Sequence, residues 1–399
     1  MSDKLTHMDL YAGVGGFTLG FEATGLFETR LLVDSDESAR TTFQRNRPRT
    51  PYWRKDLSDV PAAKLMDLAK LEPGELNVLT AGPPCQGLSK IGARQLEDPR
   101  NRQLKHTGEI IDELRPHIAI IENVPALFWD EQSPLFDELS VMLHDAGYDV
   151  NPKVLEAWRY GVPQMRRRLV IIAIREDLGT VGGPFPDGVD AGPFTAQELI
   201  RAAAAGEPKC PPGLSVAEAI SDLPSIPAGG GDEYMSYPTA PRSDYQAERR
   251  TKSDILFNHR ARSHAKAMMS KIRMIPEGGR NQELEDGLRL RADEDREYFS
   301  QAYARLHRGG IAQTITTYFH NPGSGRFIHY QDDRALTVRE AARFQSFDDD
   351  FFFVGKNEQM MRHVGNAVPV LLGKALAQRS AEILSEAGVA GASGVDAAA

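Results

Sequence analysis

Cys85 is the residue in this chain best placed to act as a nucleophile. It lies in GPPCQGLS (82–89), where two prolines stiffen the approach and two glycines permit an abrupt exit. These neighbours make burial inside a regular element unfavourable, although a lone intracellular cysteine is more often a buried apolar residue. We therefore predict that Cys85 is held at the carboxyl end of a strand and reacts as a thiolate.

Two further segments supply polar side chains for such a reaction. In HIAIIENVPAL (117–127), an apolar strand delivers Glu122 at its end, where a carboxyl can share a proton; an ordinary acidic turn is the alternative. In YGVPQMRRRLVIIAI (160–174), Gln164, Arg166 and Arg168 are spaced by two, so an extended segment would point them to one face. There the guanidinium groups would stabilise an anion, unless the segment is a solvent-facing strand edge.

A glycine-rich turn in DLYAGVGGF (9–17) predicts a cofactor site. Glycines directly after a strand allow a tight turn and a close approach to a ligand, although such turns are also made for structural reasons alone. The pattern lacks the third glycine of the dinucleotide fingerprint, which favours an adenosyl cofactor without a pyrophosphate. Asp34 could accept hydrogen bonds from a ribose or cap a helix, Asp56 could meet adenine or be an exposed loop acid, and Tyr11 could stack on adenine or pack in the core.

The elements that position these residues follow from the alternation of short apolar runs and helical patterns, which predicts βαβ units with a mostly parallel sheet. The predicted strands are 7–11, 29–33, 77–81, 118–121 and 169–174, and the predicted helices are 16–24, 37–46, 62–71, 102–114, 134–146 and 370–384. After residue 175, glycine and proline become frequent and the alternation is lost. We predict a catalytic, cofactor-binding domain at 1–178 plus 357–388, a smaller mixed domain with its hinge at 179–356, and a disordered tail at 389–399.

Composition limits the kind of protein further. The chain has 399 residues, two cysteines and no apolar run near the roughly 20 residues that a membrane span requires. We expect an intracellular protein without structural disulfides, membrane contact or bound metal. The net charge of −9 argues mildly against a nucleic-acid partner, but residues 242–273 hold nine lysines and arginines against three acids. That stretch is either a solvated surface or a nucleic-acid contact.

Six motifs in order make the chain resemble the bacterial DNA cytosine-5 methyltransferase family over nearly its whole length. They are DLYAGVGGF, PCQG, ENV, QMRRR, RALTVREAARFQSF (334–347) and GNAVP (365–369). The resemblance implies a Rossmann-like class I S-adenosylmethionine methyltransferase domain with a target-recognition domain. The family more often has glutamate at the position of Asp34 and tryptophan at that of Ser35.

The resemblance also implies roles for individual residues. Cys85 would attack carbon 6 of a flipped-out cytosine, Glu122 would bind the base, and Arg166 and Arg168 would be active-site arginines. The implied S-adenosylmethionine site comprises Tyr11, Gly13, Gly15, Gly16, Phe17, Asp34, Asp56, Pro84, Asn366 and Val368. We predict DNA contacts for Gln86, Ser89, Gln164, Arg249, Arg250, Arg260 and Arg262, with the segment 86–102 closing over the base.

The expected partner is double-stranded DNA, in a bacterial cytoplasm and in association with the nucleoid. A monomer is expected, and a cognate restriction endonuclease acting on the same site is left open. A competing interpretation is a tRNA cytosine-5 methyltransferase of the same fold, against which the long second lobe and the missing Cys-Phe-Thr signature argue. A second is an inactive DNA-binding homologue, and a third, disfavoured by the glycine pattern, is a nicotinamide oxidoreductase.

Overall fold

The computed structural model describes residues 4–84, 102–129, 134–179, 181–190, 192–281 and 302–389. Cys85, Gln86, Ser89, most of the segment predicted to close over the base and nearly all of the predicted tail lie outside these residues. The strands are Leu5–Leu10 (β1), Phe27–Asp34 (β2), Tyr52–Arg54 (β3), Val78–Ala81 (β4), Ile118–Asn123 (β5), Tyr148–Glu156 (β6), Gln164–Met165 (β7), Arg167–Arg175 (β8), Gly231–Ser236 (β9), Ile255–Arg260 (β10) and Ala312–Gln313 (β11). The helices are Gly16–Ala23 (α1), Glu37–Asn46 (α2), Ala62–Ala69 (α3), Arg102–Leu114 (α4), Ala126–Trp129 (α5), Leu135–Asp145 (α6), Ala196–Ala205 (α7), Val216–Ile220 (α8), Asp244–Arg250 (α9), Lys266–Ile272 (α10), Val338–Phe344 (α11), Asn357–Asn366 (α12) and Val370–Glu386 (α13).

A seven-stranded sheet organises the first part of the described chain. Its strand order is β3-β2-β1-β4-β5-β8-β6, and all neighbours are parallel except β8, which runs antiparallel to both β5 and β6. The order of the parallel strands reverses between β1 and β4, and open α/β sheets bind ligands at the carboxyl ends of the strands at such a point. The sheet and its helices confirm the predicted α/β, Rossmann-like fold class.

Continuous apolar sequence explains the centre of this sheet. Every residue of β4 is buried, and so is each residue of β5 except Glu122, as expected for strands covered by helices on both faces. The strands β3 and β6 were absent from the sequence prediction. β3 has only three residues, and β6 is an edge strand that contains Pro152 and alternates in burial too weakly to give a period-two signal.

Glycines allow α13 to pack closely on α1. A Cβ atom added at Gly16 would lie 2.3 Å from the carbonyl oxygen of Val368, and one added at Gly20 would lie 2.5 Å from the amide nitrogen of Lys374. The C-terminal helix thus returns to the start of the chain, as its apolar spacing predicts. This contact holds the first turn of α1, where the glycine-rich loop ends.

The chain divides into two compact units. The first comprises 1–156, 167–188 and 368–399, and the second comprises 157–166 and 189–367. These boundaries differ from the predicted ones at 157–166, 179–188 and 357–367. The segment 357–367 belongs with the second unit because a Cβ atom at Gly365 would lie 2.6 Å from the backbone of Thr316 and Thr317, and because Gln345 donates a hydrogen bond to the carbonyl oxygen of Val364 (2.7 Å). The functional division into catalytic and recognition domains stays a prediction.

Buried ion pairs surround α11 in the second unit. Arg343 is buried and donates to Asp222 and Asp349 at 3.2 Å and 2.5 Å. Arg334, equally buried, donates to both oxygens of Glu340 at 2.8 Å. Both arginines belong to the motif 334–347, so that motif forms part of the interior of this unit. Sequence patterning could not show this because buried arginines do not follow apolar periodicity.

His7 provides a pH-dependent contribution to stability in the first unit. Its ring is fully buried, hydrogen-bonded to the hydroxyls of Thr29 (3.0 Å) and Thr80 (2.9 Å), and stacked on Phe21. Burial lowers the pKa of His7 to about 3, so the folded protein keeps this ring neutral well below the unfolded pKa.

Because this folded pKa is depressed, the contribution of His7 is present above the unfolded pKa and is lost as the pH falls below it. The unfolding free energy should therefore fall by about 2 kcal/mol between pH 7 and pH 5 on account of His7 alone. His7→Gln should show a pH slope shallower by that amount in urea titrations at several pH values. The same slope in His7→Gln as in the parent would contradict a neutral buried ring, and His144→Gln, at an exposed histidine, is the control.

Candidate active site

The ends of β4 and β5 bring the segment that leads into Cys85 next to Glu122. Ala81 pairs with Ile121 in the parallel ladder, so Gly82 and Glu122 follow at the same edge of the sheet. Asn123 is buried and its Nδ2 donates to the carbonyl oxygen of Pro83 at 3.1 Å. The residue after Glu122 thus fixes the backbone two residues before the predicted nucleophile.

The Glu122 carboxyl group is paired with Arg168 but keeps hydrogen-bonding capacity. Oε1 lies 2.8 Å from Nε of Arg168, and the two side chains are 13% and 18% exposed. This distance is short enough for an ion pair, but the N–H bond of Arg168 does not point at Oε1. The buried Oε1 therefore accepts no hydrogen bond from the described residues. Oε2 lies 4.0 Å from the place that a Cβ atom would take at Gly82. The carboxyl therefore faces the chain that enters Cys85, and its Oε1 keeps hydrogen-bonding capacity that the described residues do not use.

The predicted arginine pair separates into two environments. Arg166 N donates to the carbonyl oxygen of Gln164 (3.0 Å), and this tight turn ends β7 before β8 begins. The prediction that Gln164, Arg166 and Arg168 share one face of a single extended segment is therefore wrong. Arg168 meets Glu122 in the first unit. In the second unit, the buried Arg166 donates from Nη1 to the carbonyl oxygens of Ile315 and Gly365, each at 3.2 Å.

The glycine-rich loop turns sharply between β1 and α1. Tyr11, Gly13 and Gly15 all have positive φ, at 55°, 54° and 81°. Only glycine adopts such angles without strain, so the two glycines are required by this turn, while Tyr11 is held in an unfavourable conformation. Apart from its chain neighbours, none of the described residues would lie within 4 Å of a Cβ atom at Gly13, so this side of the loop is open to a ligand. At Gly15, a Cβ atom would collide with the ring of Phe43 at 2.5 Å.

Asp34 is tied to the glycine-rich loop by a hydrogen bond. Its Oδ2 accepts a hydrogen bond from Gly13 N (2.9 Å) and its Oδ1 accepts one from Asp36 N (2.8 Å). Burial raises the pKa of the Asp34 carboxyl above its usual range, and the hydrogen bonds from backbone amides oppose that rise. The N-cap of α2 is Asp36, not Asp34, because the Asp36 side chain accepts from Ser38 N. The Asp34 carboxylate has about four lone-pair sites, and the backbone amides of Gly13, Ser35 and Asp36 use three of them, so it can still accept a hydrogen bond from a ligand hydroxyl.

Gln103 links two of the predicted cofactor residues and was absent from the sequence prediction. Tyr11 Oη donates to Gln103 Oε1 (2.8 Å), while Gln103 Nε2 donates to Ser58 Oγ and, at 3.4 Å, to Asp56. Burial raises the pKa of Tyr11 to about 12. Asp56 is exposed and caps a short 3-10 turn by accepting from Ser58 N at 2.9 Å. An ordinary polar residue on a helix gave no signal in the sequence.

The remaining predicted cofactor residues have diverse settings. Phe17 and Val368 are buried, Pro84 is half-buried, and Asn366 is exposed at the end of α12 in the second unit. An adenosyl cofactor fits the residues of the first unit on three observations: the open side of Gly13, the lone pairs of Asp34 and the tyrosine at the strand end. Among the described residues, no group of three or more His, Cys, Asp or Glu side chains could hold a metal ion.

The predicted DNA-contact residues differ sharply in exposure. Gln164 is fully buried, donating to the carbonyl oxygen of Phe344 (2.6 Å) and accepting from Ile315 N (3.0 Å). Arg249 is 7% exposed and paired with Asp348 (3.1 Å). These contacts inside the second unit argue against the predicted role in DNA binding for both residues. Burial of this kind results from long-range packing that the local sequence does not show.

The other arginines of the basic stretch are more accessible. Arg250 donates to Asp222 (3.2 Å) and lies over the ring of Tyr237, so the Arg250 side chain is half-buried. Arg260 and Arg262 are exposed, and neither forms an ion pair with a described residue. Arg262 also lines an open cleft of about 300 Å³, whose other lining residues are Ser263, His264, Ala265, Met268, His320, Asn321 and Pro322. Burial, and then the positive charge of Arg262, lowers the pKa of both His264 and His320.

Comparison with known proteins agrees with the class of enzyme that the fold and these residues define, an α/β methyltransferase. The family model for the C-5 cytosine-specific DNA methylase matches residues 5–382. The chain belongs to this family. It is 31% identical to the Type II methyltransferase M1.HphI of Haemophilus parahaemolyticus, over 94% of this chain and 86% of that protein. It is also 31% identical to the Type II methyltransferase M.DdeI of Desulfomicrobium norvegicum, over 93% of this chain and 87% of that protein.

A solved structure supports the fold independently. A protein described as a candidate DNA modification methyltransferase, encoded within an E. coli prophage, superposes with a TM-score of 0.72. The match covers 96% of this chain and all of that one, at 22% sequence identity. In the part of the chain that the structure describes, no helix is both long and apolar enough to cross a membrane.

Proposed function

We propose that this protein transfers a methyl group from S-adenosylmethionine to carbon 5 of a flipped-out cytosine in a specific double-stranded DNA sequence. The observation that carries the proposal is the Glu122 carboxyl group, which lies beside Arg168 with a buried oxygen that accepts no hydrogen bond from the described residues, next to the segment entering Cys85. Membership of the C-5 cytosine-specific family supplies the substrate class.

The reaction must first make carbon 5 of cytosine electron-rich. Cys85 does this by adding its thiolate to carbon 6, because a thiolate is a strong nucleophile and the adduct places electron density on carbon 5. Glu122 holds the ring by hydrogen bonds to nitrogen 3 and the 4-amino group, and so stabilises the electrons pushed into the ring. Arg168 keeps the Glu122 side chain in place. When bound, S-adenosylmethionine supplies the methyl group.

The aromatic ring is restored in the second half of the reaction. Carbon 5 loses its proton to a base, and the electron pair left behind expels the Cys85 thiolate from carbon 6. No part of this chemistry can reach a base stacked in a duplex, so the cytosine must be turned out of the helix at a cost of a few kcal/mol.

Residues of the first unit would hold the cofactor. Gly13 and Gly15 allow the backbone to approach it, Asp34 accepts hydrogen bonds from the ribose hydroxyls, and Tyr11 contacts the adenine. Asp56 is available to the adenine amino group because it is exposed and joined to Tyr11 through Gln103.

The names of the two relatives support a role in a restriction-modification system. Both are called Type II methyltransferases, so we infer that this protein marks a fixed recognition site in bacterial DNA, as a partner of an endonuclease that cuts the unmodified site.

Bisulfite sequencing of DNA from cells expressing the chain would read that site from the methylated contexts. Transfer of a tritiated methyl group to this duplex, and not to tRNA, would support the proposal. Transfer to tRNA alone would replace it with an RNA-modifying function.

The exposed arginines of the basic stretch are the proposed DNA-backbone contacts of the second unit. A guanidinium without an acidic partner is free to neutralise a phosphate and release a counterion. Arg260→Ala and Arg262→Ala should each reduce the salt dependence of DNA binding by about one unit in the slope of log K against log salt.

This expectation is measured by fluorescence anisotropy at several salt concentrations. Arg201→Ala removes an exposed arginine of the same unit outside the basic stretch and serves as the control. An unchanged slope in both Arg260→Ala and Arg262→Ala would remove these residues from the DNA interface.

A further inference from the structure

Asp9 is a buried carboxylate at the centre of the first unit, and the reaction described above does not use it. It is 1% exposed, and both of its oxygens accept hydrogen bonds. Oδ2 accepts from the hydroxyl (2.8 Å) and the backbone amide (3.3 Å) of Thr18, while Oδ1 accepts from the hydroxyl of Thr80 (2.8 Å).

The two threonines belong to two different parts of the proposed site. Thr18 is in the first turn of α1, directly after the glycine-rich loop. Thr80 is in β4, two residues before Gly82 and the segment that leads into Cys85, and it is the direct neighbour of Asp9 in the β1–β4 ladder. One carboxylate therefore joins the cofactor turn to the strand that carries the nucleophile, at the point where the strand order reverses.

In the ionised form of Asp9, the carboxylate sets the hydrogen-bond directions around Thr80. The Thr80 hydroxyl has one hydrogen, which it donates to Asp9, so it accepts from Nε2 of His7 at 2.9 Å. Nδ1 of His7 is then unprotonated and accepts from the hydroxyl of Thr29 at 3.0 Å. Thr29 thus belongs to the same chain of hydrogen bonds but does not contact Asp9.

Keeping a carboxylate here is costly. Burial raises the pKa of Asp9 to about 7, against the opposing effect of its three hydrogen bonds. A buried carboxylate is retained where its hydrogen bonds fix an arrangement of the backbone that a neutral side chain would hold less firmly. At Asp9 the geometry in question is the spacing of the two loops that must meet over one reacting carbon atom.

We propose that Asp9 is a positioning residue that couples the cofactor turn to the nucleophile strand through Thr18 and Thr80. This inference rests on the proposed function, because that function places the cofactor at one end of the coupling and Cys85 at the other. A disturbance at either threonine should therefore be felt at the opposite end of the site.

Two measurements report separately on the cofactor turn and on the nucleophile strand. Calorimetric titration with S-adenosylhomocysteine reports the cofactor end without any reaction. Loss of tritium from carbon 5 of cytosine in duplex DNA, without cofactor, reports the nucleophile end. In that exchange Cys85 adds at carbon 6, carbon 5 takes a proton from water and loses its tritium, and the thiolate leaves.

The variants are Thr18→Val, Thr80→Val and Asp9→Asn, with Thr29→Val as the matched control for loss of a buried hydroxyl that does not touch Asp9. Asp9→Asn should weaken cofactor affinity and slow exchange by about tenfold each, the usual effect of losing a hydrogen bond to a charged group. Thr80→Val should weaken cofactor affinity, and Thr18→Val should slow exchange, each by at least about threefold, while Thr29→Val changes either by less than about twofold.

The proposal is overturned if Thr80→Val affects exchange alone and Thr18→Val affects affinity alone. It is also overturned if Thr29→Val reproduces both cross effects, since the buried hydroxyls would then act only through general stability. Failure of the proposed function looks different: the parent protein itself would then show no tritium exchange, while the effect of Thr80→Val on cofactor affinity would still test the role of Asp9.

Discussion

Replacing Cys85 with serine is expected to reduce methyl transfer to DNA by about 10⁴-fold or more, the scale seen when a catalytic nucleophile is removed. A serine hydroxyl has a far higher pKa than a thiol, so it supplies almost no anion at neutral pH to add to carbon 6. The rate is measured by transfer of a tritiated methyl group to duplex DNA at saturating cofactor. Cofactor affinity should stay within about twofold, because the serine keeps the size of the side chain.

Cys210 offers a matched control for that substitution. It is the other cysteine of the chain, half-buried in the second unit, and burial raises the pKa of its thiol. A thiol held in its protonated form is a poor nucleophile, so Cys210→Ser should retain the parental rate. If Cys85→Ser were as active as the parent, or if Cys210→Ser were the inactive variant, the assignment of the nucleophile would be wrong.

Replacing Glu122 with glutamine should lower kcat/KM for duplex DNA by at least about 100-fold, within the range for losing a positioned acid or base. Glutamine keeps the shape of the side chain but can neither exchange a proton nor carry the charge that faces Arg168. Steady-state methyl transfer over a range of DNA concentrations provides the measurement.

Glu28→Gln is the control for this second substitution. Glu28 is also a strand carboxylate paired with an arginine, Arg30 (3.1 Å), but it is exposed at 59%. Its loss should leave kcat/KM within about twofold of the parent, because exposed ion pairs contribute little. Equal activity of Glu122→Gln and the parent would mean that the base is activated by another group.

The central sheet and the cofactor turn could be predicted from sequence because their signals are local. Apolar runs followed closely by a glycine or an acid mark β1, β2, β4 and β5, and each of these four strands matches its predicted span to within a few residues. The proximity of Asp34 to the glycine-rich loop follows from the strand order of such folds, and the structure has it hydrogen-bonded to Gly13. The order of the motifs along the chain, through the family resemblance, predicted the reaction.

The parts that sequence could not supply depend on contacts between distant residues. Gln164 is fully buried in the second unit through partners about 150 to 180 positions away, and Arg249 is buried beside Asp348. The turn at Arg166 breaks an extended segment that looks continuous in the sequence. Gln103, Thr18 and Thr80 are ordinary polar residues whose importance depends on what the fold places beside them.

Covalent attack by Cys85 is the central claim, and it is tested most directly with DNA in which 5-fluorocytosine replaces cytosine. Fluorine cannot leave carbon 5 as a proton does, so the adduct stays bonded after methyl transfer. Incubation with this duplex and S-adenosylmethionine, followed by proteolysis and mass spectrometry, should yield a peptide containing Cys85 joined to a methylated 5-fluorocytosine. An adduct on another residue, or no adduct from a protein that methylates ordinary cytosine under the same conditions, would contradict the claim.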